Sequence, residues 1–122
     1  LAGHITIGDH AILGGLVGVH QFVQVGSYAM IGGCSAVAQD VPPFVSVAGN
    51  RAKLYGLNLI GLKRHGFSKE RIEALKGTYK LLFRSGLTMK EAAKQAREKW
   101  GKVPDVDLLV SFVENAERGI CR

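Results

Sequence analysis

Four histidines, His4, His10, His20 and His65, and two cysteines, Cys34 and Cys121, are the side chains of this 122-residue chain suited to proton transfer, nucleophilic attack or metal ligation near neutral pH. The cysteines fall in no metal or disulfide pattern, which points to a reducing compartment. A zinc site would need three histidines converging on one ion. Whether these histidines converge is decided by the element that carries three of them, a repeat.

From Leu1 to Pro42 a branched aliphatic residue returns at every sixth position: Leu1, Ile7, Leu13, Val19, Val25, Ile31 and Val37. The next position is small in six of the seven hexads, as Ala2, Gly8, Gly14, Gly26, Gly32 and Ala38, with His20 the exception. A period of six is neither the helical 3.6 nor the strand's 2.0. It fits a short strand and a tight bend, three of which close a triangular turn of about 18 residues, the hexapeptide parallel β-helix. The small residues are expected to allow the bends.

Positions 18 apart then stack at roughly 4.8 Å, which sets His4 beneath Phe22, His10 beneath Tyr28 and Leu16 beneath Cys34. His4 and His20 share a face, with backbones roughly 8 Å apart, and line one cleft. His10 faces elsewhere and His65 lies outside the repeat, so the triad a zinc site needs is not expected. Just over two coils cannot cover their own edges, and prisms of this class are expected to pack about a threefold axis. The chain starts on a hexad, without Met or a capping segment, so it is expected to be a piece of a longer protein.

After Pro42 the period stops. Residues 43–57 read as a connecting loop with a turn at Gly49-Asn50, and residues 58–122 as a helical domain. Asn58 opens a short helix ended by Gly66, and Ser68 caps a longer one with Ile72, Leu75, Tyr79, Leu82 and Phe83 on its apolar face. Thr88 with Glu91 forms a capping box. Pro104 starts the last helix.

Charge divides the same way. Residues 1–42 hold Asp9 and Asp40 and no Lys or Arg, whereas the whole chain has 16 basic and 10 acidic residues and a net charge of +6. The basic half calls for an acidic partner. Nucleic acid is disfavoured, because the cations are spread over amphipathic helices without a reader motif. No apolar run is long enough to span a membrane, and a secretory signal peptide is not expected.

The run GGLVGVHQFVQVGSYAMIGGCSAVAQDVPPF, then Gly49-Asn50, then GLNLIGLKRHGFS, resembles the C-terminal half of the UDP-N-acetylglucosamine acyltransferases of lipid A biosynthesis. The resemblance implies a left-handed parallel β-helix followed by a C-terminal α-helical subdomain, in a cytoplasmic homotrimer with active sites between subunits. It implies transfer of an (R)-3-hydroxyacyl group from acyl carrier protein to the 3-hydroxyl of UDP-N-acetylglucosamine, with no cofactor beyond the phosphopantetheine on the carrier. The oxyanion-stabilising N–H falls on Gly3, and substrate contacts on His4, His20, Gln21, Asn58 and Arg64. The acyl-length gauge falls on Gly33, where the lack of a side chain admits a longer acyl chain than Met would.

Lys63, Arg71, Lys76, Lys80 and Arg84 are read as a docking surface for the acidic carrier. The family's general base falls upstream of Leu1, so the isolated chain is expected to be inactive. Two positions depart from the family pattern: Ile60 stands where a Glu is found, and His65 where a second basic residue often follows Arg64. The remaining alternatives are another hexapeptide acyltransferase, against which the NLIGLKRHGF segment argues, a metal-dependent enzyme on the same fold, and a non-enzymatic trimerisation module.

Overall fold

The computed structural model describes residues 3–116 and 119–122. Leu1 and Ala2, the first two positions of the repeat, lie outside the described residues. Six two-residue strands follow one another, β1 (Thr6–Ile7), β2 (Ile12–Leu13), β3 (Gly18–Val19), β4 (Gln24–Val25), β5 (Met30–Ile31) and β6 (Ala36–Val37). Each pairs in parallel with the strand 18 residues on, Thr6 with Gln24, Ile12 with Met30 and Gly18 with Ala36. The three pairings make three separate sheets visited in rotation.

Val19, Val25, Ile31 and Val37 are buried, and so are Val23, Ala29 and Ser35, a second inward position four residues into each hexad. Burial by two coils is what stabilises the interior: Ile7, in the lowest described coil, is 39% exposed.

The bends differ from expectation. Each corner is made by one residue at φ between 58° and 67°, at His4, His10, Leu16, Phe22, Tyr28 and Cys34, none of them glycine. An L-residue pays roughly 1–2 kcal/mol for this left-handed state. The small residues two positions earlier serve another purpose, contact between coils. A Cβ on Gly8 would meet the Ser27 backbone N at 2.6 Å, and one on Gly14 the Gly33 backbone N at 2.6 Å.

The segment expected to be a loop, 43–57, contains two strands. Strand β7 (Val45–Ala48) extends the second face by pairing in parallel with β5, and β8 (Lys53–Leu57) folds back antiparallel on β7. Val45 and Val47 point inward at the strand period of two, a pattern masked because this coil is shorter: Val25 bridges Val41 and Met30 pairs with Ser46, 16 residues on.

Four helices follow, α1 (Leu59–Arg64), α2 (Lys69–Phe83), α3 (Met89–Trp100) and α4 (Pro104–Glu114). Asn58, Ser68 and Thr88 each accept a hydrogen bond from a first-turn backbone N–H, and Pro104 occupies the first turn of α4. Of the expected capping box, Thr88 takes the Glu91 N–H, while the Glu91 carboxylate accepts from Gln95.

The two parts exchange side chains across their seam. Phe44, a corner residue at φ 70°, is fully buried in the helical core with Leu62, Phe67 and Leu75. Tyr79 of α2 is buried in the prism core beside Val47 and Ala52. Ile120 bridges Asp40 in parallel, with the Cys121 N–H donating to the Asp40 carbonyl at 3.0 Å. Among the described residues no helix is long and apolar enough to cross a membrane.

Candidate functional site

The candidate residues sort by corner. At the first corner His4 stacks on Phe22, with ring centroids 5.1 Å apart and planes 14° from parallel, as the 18-residue stacking requires. Gly3 is the neighbouring position, and a Cβ built there would lie 4.0 Å from Gln21 Nε2. His20 follows β3 directly, its backbone N–H on the Val37 carbonyl at 2.9 Å, and leads into the same corner. Gly3, His4, His20 and Gln21 are all exposed. Backbone N–H, imidazole and carboxamide thus stand on one accessible edge, the groups an acyl-transfer site uses to stabilise an oxyanion and orient a hydroxyl.

The second corner is a column of rings. His10 stacks on Tyr28 at 4.9 Å and Tyr28 on Phe44 at 5.9 Å. Against them, from the end of α1, comes His65, 4.6 Å from the His10 ring and 5.1 Å from that of Tyr28. Sequence reasoning had separated His65 from the prism histidines, whereas the structure packs it on one of them. Among the described residues no three His, Cys, Asp or Glu side chains gather as a metal site would require.

Asn58 belongs to this corner too. Its amide donates to the Tyr28 carbonyl at 3.0 Å and its Oδ1 accepts from the Gly61 N–H at 3.2 Å, so the side chain ties α1 to the coil. Arg64 is exposed in the last turn of α1.

Gly33 lies at the third corner, beside Cys34 and above Gly15, away from the Gly3 edge. A Cβ there would approach the Gly15 carbonyl oxygen at 3.3 Å. Leu16 is 88% exposed, an unusual state for an aliphatic side chain and one shared along the outer corners by Phe22 at 57%.

The five cations grouped as a docking surface do not behave alike. Arg71 is engaged inside the helical domain: its Nε and Nη2 donate to the two Asp105 oxygens at 2.7 and 2.9 Å, and its guanidinium lies 3.7 Å from the Phe67 centroid. The hydrogen bonds to Asp105 push its pKa above the ordinary value, with burial opposing. Lys76, Lys80 and Arg84 stand exposed at four-residue intervals along one edge of α2, and Lys63 is exposed on α1.

A family model described as UDP N-acetylglucosamine O-acyltransferase, domain 2, matches residues 40–121. The chain belongs to this acyltransferase family. It is 49% identical over 127 residues to an acyl-[acyl-carrier-protein]–UDP-N-acetylglucosamine O-acyltransferase of Burkholderia orbicola, covering all of this chain and 48% of that protein. LpxA from Acinetobacter baumannii superposes at a TM-score of 0.92 with 46% identity, over 98% of this chain and 46% of that one. The UDP-N-acetylglucosamine O-acyltransferase of Moraxella catarrhalis gives 0.94 with 45% identity, over 99% and 47%. The chain therefore spans about half the length of the acyltransferases it matches.

Two features of this acyltransferase segment escaped the sequence. The ring column at the second corner gained His65 from a helix end 55 positions after His10, a contact no period announces. Trp100, which packs on the helical core with Ala92, Ala93 and Ala96 of α3, also lies against Gly77 of α2, where any side chain would collide with its ring. A glycine inside a helix was the available signal.

Proposed function

We propose that this chain is the C-terminal segment of an enzyme that moves an (R)-3-hydroxyacyl group from acyl carrier protein to the 3-hydroxyl of UDP-N-acetylglucosamine. The carrying observation is the family match over residues 40–121 together with 49% identity along the entire chain to an acyltransferase named for that carrier and that sugar nucleotide. In this reading the sugar oxygen attacks the thioester carbonyl, and the oxyanion that forms accepts a hydrogen bond from the Gly3 N–H. The C–S bond then breaks and the sulfur leaves as the carrier's thiol after taking up the proton. His4, His20 and Gln21 orient the sugar, and Asn58 and Arg64 face the nucleotide or the pantetheine. Gly33 gauges the acyl chain. The general base is assigned to no residue of this chain, and no cofactor enters beyond the carrier's phosphopantetheine.

The distribution over corners supports a homotrimer. Within one chain the Gly3 edge, the Asn58–Arg64 end of α1 and Gly33 occupy three different corners, so a groove holding all three needs a neighbouring prism. Leu16 and Phe22, exposed on two of those corners, are the surfaces such packing would cover. The coils are read as winding left-handed, as the family resemblance implies. The enzyme is placed in the cytoplasm, in keeping with the free thiols Cys34 and Cys121.

The test is an acyl-transfer assay on the protein that carries this segment, following the free thiol of the carrier. Thiol release that requires UDP-N-acetylglucosamine, with ester formed at its 3-hydroxyl, is the expected result. Acyl transfer to an amine, or from coenzyme A in preference to the carrier, would overturn the assignment in favour of another hexapeptide acyltransferase.

A further inference from the structure

A cavity of about 380 Å³ opens where the end of β8, the start of α1, α2 and the last residue of α3 meet. Its walls are apolar, formed by Leu57, Leu59, Tyr79 and Trp100, and its rim carries Lys76, Lys80 and Glu73. Trp100 can lean over this space because Gly77 offers no side chain beneath its ring. Lys99 brings a third ammonium 5.4 Å from the Trp100 centroid. Glu73 is weakly engaged, its carboxylate 3.9 Å from Lys76 in an exposed pair. The mouth of the cavity is therefore positive, and its floor is oily.

We propose that this cavity is the anchor point for the acidic carrier: an apolar side chain of the carrier seats between Tyr79 and Trp100 while Lys76 and Lys80 pair with the carboxylates flanking it. The proposal rests on the carrier-dependent reading above and locates the contact within it. Charge complementarity selects the occupant, since two ammonium groups and one carboxylate line an aromatic hollow and a third ammonium, that of Lys99, lies beside Trp100. Interfaces of this form draw most of their affinity from a buried aromatic contact, with the surrounding charges setting on-rate and orientation.

Trp100 is the single tryptophan of this chain, so the part of the emission that is lost in Trp100→Phe is the signal assigned to this cavity. The experiment titrates the protein with a 3-hydroxyacyl carrier protein that contains no tryptophan, at low salt, reading calorimetric affinity and Trp100 emission together. A blue shift that saturates with the calorimetric constant is expected. Trp100→Ala should weaken carrier affinity about tenfold, the loss typical of an aromatic anchor, and Glu73→Gln should strengthen it two- to threefold by about the worth of one exposed charge.

Calorimetric saturation with unchanged emission of the unaltered protein overturns the proposal without relying on any variant. Weakening by Lys76→Ala and Lys80→Ala but not by Trp100→Ala also overturns it and leaves the carrier reading standing. Absence of carrier binding in every form sinks both. A free 3-hydroxy acid that reproduces the blue shift at equal concentration would make the cavity a small-molecule site instead.

Discussion

Arg71 illustrates how a cation's surroundings decide its use. On a helical wheel it is one more basic residue of α2, yet both carboxylate oxygens of Asp105 accept from it and Phe67 lies under its guanidinium. Asp105, whose side chain is 12% exposed and sits in the first turn of α4, would be left a poorly solvated anion without it. Because Arg71 itself is 43% exposed, the loss is discounted for solvent, and Arg71→Ala should lower stability by about 1–2 kcal/mol in urea unfolding. Lys76→Ala should stay within about 0.5 kcal/mol. Cys121 makes a residue-scale prediction of a different kind. Burial raises its pKa above the ordinary 9.0. Above that pH the unfolded thiol ionises while the folded one keeps its proton, so the unfolded state binds fewer protons and stability falls as pH rises. Thermal unfolding midpoints should decline above about pH 9, less steeply in Cys121→Ala. At pH 8 a thiol reagent should label exposed Cys34 well before Cys121.

At the scale of elements, the coils test the meaning of the small positions. Gly14 touches the next coil, so Gly14→Ala should cost about 1–3 kcal/mol as overpacking. A Cβ on Gly15 meets nothing within 4 Å, and Gly15→Ala should be near neutral in the same denaturation series. Asn58→Ala removes a helix cap and the bond to Tyr28 together, with an expected loss of about 1–2 kcal/mol, whereas Asn58→Asp keeps the cap acceptor and should lose less. The six-residue period was enough to place the strands of the first two coils and to stack His4 on Phe22 and His10 on Tyr28, because a repeat turns sequence distance into spatial distance. It failed where the distance stopped being regular. The shortened coil moved Val45 and Val47 out of step, and the bend was attributed to the residue that permits contact rather than to the one that turns. The site was legible along the prism and illegible where elements meet, since the packing of His65 on His10 depends on how the helices close back on the coils and that of Trp100 on Gly77 on how α3 crosses α2.

For the whole molecule, the outer corners are decisive. If side-by-side packing covers Leu16 and Phe22, sedimentation should show a trimer for the unaltered protein and a shift toward monomer for Leu16→Lys, which places a charge in the seam without disturbing the interior. A trimer that persists in Leu16→Lys places the contact elsewhere. The bends carry a consequence for how such a protein can change. Imidazole, isobutyl, benzyl, phenol and thiol all occupy the same left-handed backbone state, from His4 through Cys34. The backbone there asks only for tolerance of that state, while the side chain projects outward. Away from the ring column of His10 and Tyr28, the positions most strained in conformation are therefore the least restricted in chemistry. A coil can rewrite what it presents to a substrate or a neighbour at His4, Leu16, Phe22 and Cys34 while its inward aliphatics and its small contact residues stay as they are.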